Sequence, residues 1–295
     1  MVDQRDEHGN EHGHEHGNDH ENHPAHDSTA LQAGSPTLHI DEASGRATLT
    51  LQRPQQLNRL HREDLLAMQQ LLAHLAELAD LAATNTGLRV LVLQSTGAVF
   101  CAGFNLQEIG QSAQAAAADP QLFEHTVEAL AALRLPTVAR LQGGVYGGAT
   151  DLALACDFRI GVPDTVLRMP AARIGLHFYP AGLRRFVAKL GLAQAKRLFL
   201  LAPTLPAEEL LRIGYLDRLV PADTLDAEVD ALAAALAAAA PLAVQGMKLS
   251  LDEIAAGSFD IARLRAREAR CAASEDLQEG LQALAEKRPP RFSGR

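Results

Sequence analysis

Two stretches of the chain could hold a negatively charged oxygen with main-chain amides. One runs from the apolar segment RVLVLQ into STGAVFCAGFNLQEI, the other from TVARL into QGGVYGGATDLALACD. Each leaves an apolar run, passes through small residues and enters a helical pattern. Glycine lets the backbone turn its N–H toward a ligand. The first turn of a helix adds N–H donors with no internal partner, at the positive end of the helix dipole. Two such donors aimed at one point would stabilise an enolate or a tetrahedral oxyanion. Each junction taken singly also fits an ordinary turn.

The body that must position these turns reads as alternating strands and helices. Leu38 to Ile40 and Ala47 to Leu51 suggest a hairpin. Arg62 to Leu81 carries Leu65, Leu66, Leu72 and Leu75 at helical spacing. Arg89 to Gln94 and Thr137 to Leu141 read as buried strands, with a helix over Pro120 to Leu133 between them. A short apolar helix over Thr150 to Cys156 precedes a strand at Phe158 to Ile160. Three helices are expected at Ala181 to Leu190, Ala193 to Leu200 and Pro206 to Ile213. This alternation predicts an α/β fold. From Leu225 onward the pattern is helical only.

Composition narrows the class further. Of 295 residues, 47% are hydrophobic and 21% charged, which fits a soluble globular protein with a sizeable core. The formal charge of -9 is concentrated in residues 1–27, which hold eight acids and a single base. The near-neutral remainder lacks the clustered basic face that nucleic-acid binding needs. The sequence through residue 36 is rich in His, Glu, Asn and Gly and has no apolar period, so a disordered tail is expected. Its histidines, His8, His12, His14 and His16 among them, could take up a divalent metal, or could simply solvate the tail. Cys101, Cys156 and Cys271 are scattered and show no metal-ligand spacing, pointing to a reducing, cytoplasmic compartment. The N-terminus shows no apolar signal region. The longest weakly polar stretch, Ala231 to Val244, is broken by Pro241, so no membrane segment is expected.

The segments FCAGFNLQEI (Phe100 to Ile109) and GGVYGGATDLALACD (Gly143 to Asp157) resemble the two signature stretches of the crotonase superfamily, the enoyl-CoA hydratase/isomerase family. RPQQLNRL (Arg53 to Leu60) is similar to its N-terminal element, and SEDLQEGLQALAEKRPPRFSGR to its C-terminal ending. The resemblance covers residues 37 to 295. It implies a spiral of repeated ββα units with a C-terminal helical assembly module. The implied division is a tail at 1–36, an acyl-CoA-binding catalytic core at 37–224 and an oligomerisation module at 225–295. It also implies an acyl-CoA thioester as substrate, no cofactor beyond the CoA carried by that substrate, and homotrimers or hexamers.

By motif match, the thioester oxygen would be held by the amides of Phe104 and Gly148, with Ala102, Gly103, Tyr146 and Gly147 beside them. Asp151 falls where the family places its first catalytic carboxylate, and it also suits the first turn of a helix. The second carboxylate would fall at Ala171, which transfers no proton, so plain two-carboxylate hydration is in question. His177 and Tyr179 lie where some members carry another acid; they could replace it or shape the acyl pocket. His125 sits on a helix that lines this pocket in the family, and a surface or packing role is open to it. Arg59 and Lys287 are candidates for the CoA phosphates, or ordinary surface charges. The leading expectation is an enzyme of hydratase/isomerase type that stabilises a thioester enolate. Decarboxylation of a malonyl-type acyl-CoA tolerates Ala171 better, and acyl-CoA binding without turnover is a third reading.

Overall fold

The computed structural model describes residues 34–82, 87–108 and 121–295. The elements begin with β1 (Thr37–Asp41), β2 (Arg46–Leu51), α1 (Arg62–Ala82), β3 (Val90–Ser95), α2 (Leu122–Ala131) and β4 (Thr137–Leu141). They continue through β5 (Val145–Tyr146), α3 (Ala149–Ala155), β6 (Phe158–Gly161), β7 (Val166–Arg168), α4 (Pro180–Lys196), β8 (Leu205–Pro206), α5 (Ala207–Arg212) and β9 (Arg218–Leu219). Four helices close the chain: α6 (Leu225–Ala237), α7 (Pro241–Ala255), α8 (Ile261–Ala272) and α9 (Glu275–Glu286).

Six strands form one sheet in the order β1-β2-β3-β4-β6-β9. The β1–β2 hairpin is antiparallel and every later pairing is parallel. Both faces are covered, which explains the unbroken apolar run of β3. Because side chains alternate along a strand, Leu91 and Leu93 enter the main core with Leu65, Met68, Leu72 and Leu75 of α1 and Val127 and Leu130 of α2. Val90 and Val92 point the other way, onto Leu225, Val229 and Ala233 of α6. Thus α6, grouped with the C-terminal helices in the sequence reading, covers the second face of the sheet.

A smaller sheet, β5-β7-β8, flanks the second glycine turn. The two expected helices, Ala181 to Leu190 and Ala193 to Leu200, are both present, as the two halves of α4. The backbone leaves the helical region at Gly191, with φ 79° and ψ 158°, and the second half passes into a π turn at Arg197–Leu201. A left-handed φ of this kind costs glycine little. Among the described residues no single helix is long and apolar enough to cross a membrane.

Candidate active site

The two glycine turns lie against each other. Cys101 N donates to Gly144 O at 3.2 Å and Tyr146 N donates to Cys101 O at 3.0 Å. Gly103 has φ +86°, and a β-carbon there would stand 2.7 Å from Tyr146 O and 3.2 Å from the Gly148 nitrogen. Only a residue with no side chain lets the first turn approach the second so closely. Gly147 has φ +54° and donates to Arg168 O at 2.9 Å, which ties the second turn to β7.

The segment before α1 fixes the first turn from the other side. Leu60 N donates to Gly103 O at 2.8 Å and Asn105 N to Leu60 O at 2.9 Å. These bonds flank Phe104 and leave its own N–H out of the pairing. Buried Asn58 donates to Thr96 O at 2.7 Å and Val99 O at 2.9 Å, and accepts from Arg53 N. Among the described residues neither the Phe104 nor the Gly148 N–H has an acceptor. Two such free donors in adjoining, half-buried turns are candidates for holding an anionic oxygen.

Asp151, on α3, is fully buried. Both its oxygens are engaged: Tyr179 donates its hydroxyl to Oδ2 at 2.6 Å, and Arg185 Nε donates to Oδ1 at 3.0 Å. Arg185 Nη2 also donates to Glu128 Oε1 at 2.6 Å. Burial opposes the charge of Arg185, but Asp151 and Glu128 more than offset it and hold the guanidinium protonated. Burial, reinforced by the negative charge of Asp151, pushes the Tyr179 hydroxyl above the ordinary tyrosine range, so it stays a neutral phenol. The chain delivers Tyr179 here through Pro180, which disfavours helix for the residue before it; Tyr179 is extended, with φ -71° and ψ 154°. No side chain of its own caps α4, and Glu124 Oε1 of α2 accepts from Ala181 N at 3.1 Å instead.

The structure therefore brings together Gly103, Phe104, Gly147, Gly148, Asp151 and Tyr179. Half-buried Ala102 donates its N–H to Leu57 O at 2.9 Å. Tyr146 folds its ring back over Gly144, where a β-carbon would meet it at 2.3 Å. Ala171 is buried at the start of a short 3₁₀ turn. His177 is exposed, with Nδ1 2.8 Å from Phe178 O. His125 is exposed too, 200° around α2 from Phe123 at the ~100° per residue of a helix. Arg59 is exposed in the loop before α1, and Lys287 is the exposed, left-handed C-cap of α9. His8, His12, His14, His16 and Ile109 lie outside the described residues. Among the described residues no cluster of three or more His, Cys, Asp or Glu is arranged to hold a metal ion.

Sequence reasoning missed Phe123, Glu128 and Arg185. The available signals were the acids Glu124 and Glu128, one helical turn apart on α2, and the Arg184–Arg185 pair shortly after Tyr179.

Residues 41–295 match the family model described as enoyl-CoA hydratase/isomerase, and the chain belongs to that family. It is 31% identical over 258 residues to the protein named "Probable enoyl-CoA hydratase echA6" of Mycobacterium leprae (strain TN), covering 86% of this chain and 98% of the relative. It is also 31% identical, over 264 residues, to the enoyl-CoA isomerase/hydratase fer4 of Mycosarcoma maydis, covering 86% and 94%. A crystal structure of an enoyl-CoA hydratase from Polaromonas sp. JS666 superposes with a TM-score of 0.76 at 25% identity, covering 88% and 100% of the two chains. The protein is thus an acyl-CoA enzyme of hydratase/isomerase type with the crotonase fold. Decarboxylation and binding without turnover are not favoured by these relatives.

Proposed function

We propose that this enzyme moves a double bond within an enoyl-CoA thioester, using the Phe104 and Gly148 amides as an oxyanion hole and Tyr179 as its proton-handling group. The observation that carries this reading is the occupancy of Asp151: its carboxylate is fully buried, with Arg185 on one oxygen and Tyr179 on the other. Adding water across a double bond calls for one group to activate water and another to protonate the α-carbon. Here the second family position is Ala171. Shifting a double bond calls for one group, which takes a proton from the α-carbon and returns it to the γ-carbon.

Tyr179 accepts the α-proton as it passes its own to Asp151, so the proton ends on the carboxylate and Tyr179 remains a phenol. The electron pair left on the α-carbon becomes an enolate, and its oxygen rests on the two amides. The transfers reverse at the γ-carbon. No metal or redox cofactor enters this sequence, and CoA arrives with the substrate. We further infer a homotrimer or hexamer that buries exposed apolar residues of the C-terminal helices, Leu251, Ile254, Leu281 and Leu284 among them. A reducing cytoplasmic setting suits the three free cysteines.

The test supplies the enzyme with a 3-enoyl-CoA and, separately, a 2-enoyl-CoA, following the absorbance of the conjugated thioester. A rise with the first and little loss with the second is expected. Fast loss with the second, unaltered in Tyr179→Phe, would overturn the reading.

A further inference from the structure

We propose that Phe123 caps the acyl pocket and restricts this enzyme to short acyl groups, an inference that rests on the site proposed above. Phe123 lies against both glycine turns, through Gly148 and Phe104, and against Tyr179. A β-carbon on Gly148 would stand 2.5 Å from Phe123 Cζ and 3.0 Å from both Cε atoms, so the ring edge abuts the residue whose amide would bind the thioester oxygen. Its ring centroid lies 6.0 Å from that of Phe104 and 5.9 Å from that of Tyr179. Phe178 stacks on Tyr179 at 4.2 Å and is itself buried, closing the row.

Phe104, Phe123, Gly147, Gly148 and Tyr179 are each only half-buried, whereas Val145, Ala149, Thr150 and Asp151 beside them are buried. A shared cleft accounts for that pattern. Its wall is aromatic, and its one hydroxyl, on Tyr179, is turned to Asp151. Such a wall packs against a short unsaturated chain and leaves little room for a long flexible one. The cap cannot swing away easily, because Leu122, Thr126, Val127 and Leu130 around it on α2 are packed in the interior.

The experiment measures kcat/KM for 3-hexenoyl-CoA and 3-decenoyl-CoA with the wild type, Phe123→Leu and Phe123→Ala. A mismatch of a few methylenes in an apolar pocket is worth about tenfold or more. The wild type should favour the six-carbon thioester by about tenfold, Phe123→Ala should move the ratio at least about tenfold toward the ten-carbon one, and Phe123→Leu should fall between. Phe123→Leu carries the test alone if the alanine variant does not fold. A wild type active on both chain lengths, with a ratio that neither variant moves, overturns this inference and leaves the proposed reaction standing. A wild type inert toward both overturns the proposed reaction and this inference together.

Discussion

The Tyr179 hydroxyl and the Asp151 carboxylate meet at 2.6 Å across the joint between α3 and α4. Asp151 is fully buried and Tyr179 only partly so, which makes the phenol the outward end of the pair. If the pair relays a proton, Tyr179→Phe lowers turnover about 10²-fold or more, within the range for general acid–base catalysis. Asp151→Asn keeps the shape but accepts no proton and should fall as far. Acyl-CoA binding, followed by calorimetry, should stay within a few-fold of wild type in both. Turnover unchanged in either variant removes the relay.

Arg185 tests the support of that carboxylate. Arg185→Gln leaves a buried charge without its cation and should cost about 3–5 kcal/mol in denaturant unfolding. Arg185→Lys keeps the charge but loses the fork that reaches Asp151 and Glu128 together, and should fall between. Glu128 is more than a third exposed, so Glu128→Gln should cost only about 0–1 kcal/mol. Equal losses for the glutamine substitutions at 185 and 128 would contradict this ordering.

The contact between Gly148 and Phe123 predicts a coupled pair. Gly148 is in the right-handed helical region, so alanine brings no backbone strain there, only collision with the ring. Gly148→Ala alone should destabilise by about 1–3 kcal/mol, as overpacking does. Adding Phe123→Ala should recover much of that loss, visible as a non-additive double-mutant cycle. Gly103→Ala collides with the Tyr146 carbonyl at a φ of +86°, and no side-chain truncation nearby should rescue it. Additive costs at 148 and 123 would sink the packing argument.

Alkaline stability follows from the tyrosines. Burial raises both Tyr179 and Tyr215 above the ordinary value near 10, with Asp151 adding to the effect at Tyr179. The folded state holds these protons more tightly than the unfolded chain. The stability they contribute is therefore complete below a pH of about 10 and is lost as pH climbs above it. Phenolate absorbance for two of the three tyrosines should appear only with the loss of circular dichroism. Ionisation of all three before unfolding would show the buried phenols to be solvated.

The sequence determined the order of the longer elements and the two glycine turns, because those rest on local rules. Alternating Val and Leu made β3 a strand buried on both faces, and the glycines at 103, 147 and 148 announced turns that approach one another. The first helix and the opening hairpin fell within a few residues of their expected limits. Strands β5, β7, β8 and β9 have two or three residues each, too few to show a period, and exist only because neighbours pair with them. Nothing local revealed that Arg185 reaches both Asp151 and Glu128, since those contacts span 34 and 57 residues. Nor could helical pattern alone choose Phe123 over His125: which side of α2 faces the turns depends on how α2 packs against α1, α3 and α4. Tertiary structure decided whether Asp151 stands free or is held, because a carboxylate's role depends on the groups that burial forces against it.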